Sequence, residues 1–370
     1  MHADARAAQD AQRSRAAAVA CFPPSLDANP YLRLLHGALR REGVTQAALR
    51  DLSIRSLRAE RERVRALHLH WPEPLYRFER GPELLRALLS WVKLVRLVIR
   101  LTAARLLGYR VVWTVHQVLP HERRHRGLDL TAAFCLARLA SVLTAHDADT
   151  AEEAQRRLRV PPARLRVIAH GSYVGVYPPR GSRAEVRGRL DLEPESFVLL
   201  SFGELRGHKG LDLLLEAFHG LALPELALIV AGHPKQAAVA ETVREFARRD
   251  DRIRLLLRFV PDAEVAELYG AADAAVVTRS GGTSGSLVLA LSLGLPVIAP
   301  SVRAYRDLIG QDGGWLYERQ DAVALRAAIA AAAASPAEAK RRGGRALESA
   351  RALRWETAAA QFAPLLTGAA

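Results

Sequence analysis

Val277-Thr278-Arg279-Ser280-Gly281-Gly282-Thr283-Ser284-Gly285-Ser286-Leu287 joins one apolar run, Ala274 to Val277, to another, Leu287 to Gly294. The first run has the length of a buried strand and the second that of a helix, with only Gly, Ser, Thr and one Arg between them. A strand, a Gly/Ser/Thr loop and a helix together turn free backbone N–H groups and the positive end of a helix dipole toward an anion. Gly282, Thr283, Ser284, Gly285 and Ser286 are therefore candidate phosphate-binding residues. Such loops also cap helices in many α/β proteins, so a purely structural role stays open.

The same grammar runs outward in both directions. Phe197-Val198-Leu199-Leu200-Ser201-Phe202-Gly203 reads as a buried strand, followed by a polar loop, Glu204 to Gly210, and a helix from Leu211 to Phe218. Strands are expected at Leu226–Ala231, Ile253–Phe259 and Pro296–Ala299, and helices at Asp262–Tyr269, Ala322–Ala334 and Ala337–Ala360. In the first half, strands are expected at Ala16–Phe22, from Val64 toward Trp71, at Tyr109–Val115, at Ser141–Ala145 and at Leu165–Ala169. Alternating strands and helices predict parallel sheets covered by helices on both faces. The Pro- and Gly-rich turn Pro178-Pro179-Arg180-Gly181-Ser182 marks a linker. The expected layout is a tail over 1–15, one domain over 16–180, a second over 181–350, and a terminal helix over 351–370 packing back on the first domain.

Ligands of open parallel sheets bind beyond the carboxyl ends of the strands. That rule singles out Asn29 in the loop after the first strand, and His70, Trp71 and Glu73 after the second. It also selects His116, His121 and Glu122 after the strand ending at Val115, and His170 beyond Ala169. Histidines with a glutamate in such places suit a general base, polar binding groups or, least well, zinc, since no fourth ligand or helically spaced His pair accompanies them.

The 370 residues are half hydrophobic, and Lys and Arg number 53 against 39 Asp and Glu, a net charge of +14. This balance favours acidic partners. The arginines are spread over helices without interleaved aromatics, which speaks against nucleic acid. Leu84 to Leu107 is an expected long helix on which Arg86, Lys93, Arg96 and Arg100 share one narrow strip while Leu, Val, Ile and Trp91 cover most of the rest. A cationic stripe over an apolar face suits an anionic membrane surface, and equally a core helix with a basic solvent edge. Cys21 and Cys135 are too few for a disulfide framework, and residues 1–15 lack the apolar core of a secretory signal. A cytoplasmic protein, peripheral at the inner face of the cell membrane, is the expectation.

Taken together, Phe202-Gly203 with Arg206 and Lys209-Gly210, Ala231-Gly232, Phe259-Val260-Pro261, Leu268 through Asp273 and Gly294-Leu295-Pro296-Val297-Ile298 resemble the group-one nucleotide-sugar glycosyltransferases. In the first half, His68-Leu69-His70-Trp71-Pro72-Glu73, Thr114-Val115-His116, Leu119-Pro120-His121-Glu122 and His170-Gly171 are similar to a bacterial subset acting on lipid-linked or polysaccharide acceptors, nearest the glycolipid 4-beta-mannosyltransferases that use GDP-mannose. The resemblance implies the GT-B fold: two Rossmann-like, doubly wound parallel-sheet α/β domains facing across a cleft. It implies a hexose passed from a GDP- or UDP-linked donor, a co-substrate rather than a cofactor, with no obligatory metal. Arg206, Lys209 and the 282–286 loop would hold the diphosphate, Phe259, Val260 and Pro261 would flank the base, and Asn29, Trp71, Glu73, His121 and His170 would line the acceptor side. One departure stands out. The family usually carries a pair of glutamates on the donor loop, and the corresponding positions here are Gly281 and Leu289. An inverting enzyme needs a general base, for which His116, Glu122 and His70 are candidates in that order. A catalytically silent scaffold binding glycan or a partner glycosyltransferase is the alternative.

Overall fold

Parallel strands buried on both faces need largely apolar runs, and Ala17–Phe22, Val64–Leu69, Phe197–Phe202 and Leu226–Ala231 all become strands, with Arg65 the exposed exception in the second. The computed structural model of the chain describes residues 17–24, 30–119, 125–178, 181–279 and 281–368. The expected tail over 1–15, and Asn29, His121 and Glu122, lie outside them. Two units emerge, one formed by Met1–Gly171 with Arg354–Ala370 and the other by Ser172–Leu353.

In the first unit β1 (Ala17–Phe22), α1 (Pro30–Arg41), β2 (Val44–Gln46) and α2 (Ile54–Ala59) lead to β3 (Val64–Leu69), the single turn α3 (Glu73–Tyr76) and the long α4 (Glu83–Leu106). Then follow β4 (Arg110–Val115), α5 (Arg126–Leu139), β5 (Val142–Ala145), α6 (Ala148–Leu158) and β6 (Leu165–Val167). Among the described residues these strands form one parallel sheet in the order β2-β1-β3-β4-β5-β6. The strand order reverses between β1 and β3, so a crevice opens beyond their carboxyl ends. One face of the sheet is covered by α4, whose Leu94, Leu97 and Leu101 are buried, and by α5. The other is covered by α1 and by α15 (Trp355–Thr367), the last helix among the described residues, whose Ala359, Phe362 and Leu366 pack with Tyr31, Leu35 and Leu39.

The second unit runs α7 (Arg183–Arg189), β7 (Phe197–Phe202), α8 (Leu211–His219), β8 (Leu226–Ala231), α9 (Ala237–Arg249), β9 (Ile253–Leu256) and α10 (Asp262–Ala271). It continues with β10 (Ala274–Val276), α11 (Gly285–Ser292), β11 (Val297–Pro300), α12 (Arg303–Ile309), β12 (Gly314–Tyr317), α13 (Ala322–Ala333) and α14 (Pro336–Ala352). Its sheet is parallel in the order β12-β11-β10-β7-β8-β9, the doubly wound Rossmann order, with the reversal between β7 and β10. The loops that leave β7 at Gly203 and β10 at Val277 therefore both start at the switch point.

Several boundaries differ from the sequence expectation. The division falls at Gly171/Ser172 rather than at the Pro178–Ser182 turn, because Tyr173 and Tyr177 are already buried in the second unit and the Tyr173 amide donates to Ser292 Oγ at 2.9 Å. The expected helix from Ala337 to Ala360 is two helices, broken where Leu353 leaves helical geometry (φ −84°, ψ 74°). The strand expected to reach Phe259 ends at Leu256. Among the described residues no single helix is long and apolar enough to cross a membrane.

Candidate active site

In the first unit the carboxyl ends of four neighbouring strands each deliver a histidine: His70 after β3, His116 after β4, His146 after β5 and His170 beyond β6. Their rings form a row, with centroid separations of 5.4, 5.0 and 5.3 Å along it. Tyr31, projecting from α1, meets all four at 5.0–5.5 Å. Trp71 stacks on His116 at 4.3 Å and 13°, and Trp355 of α15 lies beside His170 at 5.6 Å. A fifth imidazole, His68, is buried beneath His70, its Nε2 2.8 Å from Thr114 Oγ1, which is itself 2.8 Å from Thr144 Oγ1.

Burial is the dominant force on this group. It removes water from each ring and pushes the imidazoles down from their ordinary 6.5: His68 and His170 to about 3, His70 and His116 well below the usual range, and His146 in the same direction, neighbouring imidazoles adding to the effect in His70 and His116. All are neutral at pH 7. His146 Nδ1–H donates to Ile168 O at 2.9 Å and His170 Nδ1–H to Gly171 O at 2.6 Å, which fixes both tautomers. His70 Nδ1 and His116 Nε2 lie 3.2 Å apart. If His116 donates in that bond, its Nδ1 carries a lone pair, the arrangement a general base requires. His116 is half-buried whereas His70 is 1% exposed. His70 is thus placed to orient His116 rather than to meet a substrate itself.

The pocket beside this pair is lined by His70, Trp71, Glu73, Tyr76, His116, Gln117 and Asp129. Asp129 is engaged on both oxygens, by Arg77 at 2.7 and 3.0 Å and by the Tyr76 hydroxyl at 3.1 Å. Burial raises the Glu73 carboxyl above its ordinary range. Among the described residues no three His, Cys, Asp or Glu side chains are arranged to hold a metal ion.

The second unit gathers cations at its switch point. Gly203, at the end of β7, has φ +118°, and a Cβ there would stand 3.0 Å from Ser286 Oγ and 3.1 Å from Lys209 Nζ. The 207–209 turn and the first residues of α11 therefore converge on one spot, which glycine leaves open. Close approach recurs next door, where a Cβ on Gly232 would lie 2.0 Å from Gly203 O. Thr278 Oγ1 donates to Lys209 O at 2.5 Å and ties the two loops together. Ser284 caps α11, its side chain accepting from Leu287 N, so the free N–H groups of that helix face the same region. Burial and the nearby Arg279 and Arg206 charges lower Lys209 to about 8, with Glu204 opposing them. Burial is the larger cause and the neighbouring guanidinium charges add to it, so an anion placed beside Lys209 would favour its charged form.

Arg206 is held by Glu204 at 2.9 Å, and Glu204 is shared with Lys235 at 2.9 Å. Phe259 is 57% exposed and available to stack, while the Val260 side chain is buried and Pro261 caps α10. Gly281 has φ +113° and Leu289 is buried within α11, so neither position offers a polar group to a sugar. Tyr31, His68, His146, Trp355 and Arg279 were absent from the sequence-based site. His146 ends a short apolar strand and carried that signal. Tyr31 and Trp355 sit on amphipathic helices and carried none.

Cations and a helix N-terminus at the switch point of a doubly wound parallel sheet suit an anionic ligand such as a phosphate. Residues 182–348 match the family model for glycosyl transferases group 1. A GDP-mannose:glycolipid 4-beta-D-mannosyltransferase of Xanthomonas campestris pv. campestris is 31% identical over 312 residues, covering 82% of this chain and 79% of that protein. A D-inositol 3-phosphate glycosyltransferase of Geodermatophilus obscurus is 32% identical over 249 residues, 62% of this chain and 53% of that one. Among solved structures, Anabaena HepE in complex with UDP-glucose superposes with a TM-score of 0.72 over 95% of this chain and 99% of its own, at 16% identity. WaaG, a glycosyltransferase of lipopolysaccharide biosynthesis, superposes with a TM-score of 0.64 over 95% and 100% of the two chains, also at 16% identity. The chain belongs to the group 1 glycosyltransferases, with the GT-B fold, and transfers a sugar from a nucleotide-sugar donor to an acceptor.

Proposed function

We propose that this protein is a hexosyltransferase that moves mannose from GDP-mannose to a lipid-linked or polysaccharide acceptor. The observation carrying the donor half is the convergence of Lys209 Nζ and Ser286 Oγ on the open face of Gly203, with Arg206 and Arg279 close enough to depress Lys209. A departing nucleoside diphosphate carries about two to three negative charges, and cations with helix N–H groups stabilise them as they develop. In this reading no obligatory metal is needed. Phe259 stacks on the base, and the acceptor hydroxyl gives its proton to His116, oriented by His70. The mannose and glycolipid assignments rest on likeness to the Xanthomonas enzyme. The protein works at the cytoplasmic face of the membrane, which α4 touches with its exposed apolar strip.

Isothermal titration with GDP, UDP and GDP-mannose tests the donor assignment. GDP binding weakened in Lys209→Ala is expected, and wild-type indifference to both nucleotides at millimolar concentration refutes it. The buried Leu289 and the φ +113° of Gly281 favour a second reading, a silent scaffold. Nucleotide release from GDP-mannose on adding acceptor separates the two, since a scaffold releases none.

A further inference from the structure

Helix α4 is only half covered. Leu94, Leu97 and Leu101 face the core, while Leu84, Leu88, Val95 and Ile99 are between 53% and 87% exposed, and Trp91 and Val92 are exposed beside them. Spaced at i, i+4, i+11 and i+15, the four make one stripe along the outside of the helix. Scattered exposed leucines need no explanation, but a continuous stripe on a single helix does. Glu83 in the first turn is the sole acid on α4.

Beside this stripe lies a groove of about 370 Å³, with Leu75, Phe78, Leu89 and Val92 as its apolar surface and Lys93, Arg96 and Arg100 at its side. Lys93 holds the groove's shape, its Nζ donating to Pro74 O at 2.9 Å and Arg77 O at 2.5 Å, and burial lowers its ammonium below the ordinary range. Among the described residues neither Arg96 nor Arg100 makes an ion pair, although Arg100 is near enough to Asp51 to help lower that carboxyl. Two guanidinium groups over an apolar floor match an anion attached to a hydrocarbon chain. The neighbouring stripe offers the chain somewhere to lie. The segment 71–78 also connects the groove with the histidine pocket. Glu73 and Tyr76 line the pocket and Leu75 and Phe78 the groove, one turn of α3 apart.

We propose that the groove between α3 and α4 binds the phosphate of a lipid-linked acceptor, with Arg96 and Arg100 as its ligands, so that the attached sugar is presented at the His70/His116 pocket. This rests on the lipid-linked acceptor proposed above and names the residues that select it. A sugar acceptor without lipid phosphate has no use for the groove.

The full chain is incubated with phosphatidylcholine vesicles carrying undecaprenyl phosphate and, separately, with vesicles carrying phosphatidylglycerol at the same surface charge, and bound protein is read by sedimentation. Groove binding gives an affinity for the polyprenyl phosphate on the order of tenfold or more above that for phosphatidylglycerol. In Arg96→Gln/Arg100→Gln the ratio falls to near one, and Arg96→Lys/Arg100→Lys restores part of it. Equal binding of the two vesicles by the wild type, or an equal fall on both in the double variant, overturns the proposal in favour of general contact with an anionic surface. Displacement by inorganic phosphate alone at millimolar concentration overturns it in favour of a free-anion site. GDP titration on the same samples keeps the two hypotheses apart, because the double variant should bind GDP normally. A wild type that binds no nucleotide sinks the transferase reading while leaving the vesicle ratio interpretable. A circular-dichroism melt matching the wild type shows that the double variant is folded.

Discussion

Taking the protein from about pH 7.5 to about pH 5.5 should strip several kcal/mol from the first unit, because its histidines are buried without charge. His36 is held near 4, and His68 and His170 near 3, each against an ordinary value of 6.5. The unfolded chain therefore takes up protons as pH drops through 6.5 and the folded chain does not, so stability falls with pH. Each group costs about 1.4 kcal/mol by about pH 5.5, and the three together about 4 kcal/mol. His70, His116 and His146 are shifted in the same direction and add to the loss. Glu73, raised by burial, works the other way as a single group. Against a typical domain stability of about 5–15 kcal/mol, this is enough to bring the first unit close to unfolding. Urea titrations followed by tryptophan fluorescence at several pH values measure the slope. His36→Leu, which removes one buried imidazole from α1, should recover about 1.4 kcal/mol at about pH 5.5. A urea midpoint unchanged over this range, or histidine resonances of the folded protein titrating near 6.5, would refute the reasoning.

The proposed donor site gives further expectations. Lys209→Ala should weaken GDP binding by roughly 10- to 100-fold, the value of a charge-assisted hydrogen bond of about 1.5–3 kcal/mol, read by titration calorimetry. Because Lys209 sits near 8, bound diphosphate should raise its pKa and draw in a proton, so affinity declines as pH rises through 8 and binding heats depend on the buffer's ionisation enthalpy. Gly203→Ala would press a Cβ against Lys209 Nζ and Ser286 Oγ at φ +118°, at a cost of about 1–3 kcal/mol and with loss of GDP binding, visible in melting and calorimetry together. His116→Gln should lower kcat by roughly 10²- to 10⁴-fold while GDP affinity holds, and an unchanged rate would remove His116 from the proton transfer. Asp129→Ala removes the buried carboxylate that Arg77 and the Tyr76 hydroxyl share and should cost about 3–5 kcal/mol in denaturant unfolding.

Much of the proposed donor site is made of residues whose place at strand ends could be read in order along the chain. Lys209 and Ser286 follow strand ends, and a loop after a parallel strand lands at the carboxyl edge of its sheet whatever the rest of the chain does. The pairing of Arg206 with Glu204 was less legible, since a sequence does not say which way an arginine two residues from an acid will turn. In the first unit, His70 and His116 were recognisable as residues at strand ends. Their 3.2 Å contact follows from β3 and β4 lying side by side, a fact of sheet order.

By itself the sequence determined the elements and the class of fold. Long apolar runs bounded by Gly, Pro and polar loops can satisfy their backbone groups only as buried parallel strands, and alternating helices must then cover both faces. Tertiary structure alone decided what gathers at the strand ends. Residues as distant as Tyr31, His70, His116, His146, His170 and Trp355 meet because strand order and the return of α15 put them in one place. Their neutrality is a property of that gathering, since an imidazole loses its proton through the water it lacks, and no short stretch of chain can exclude water alone.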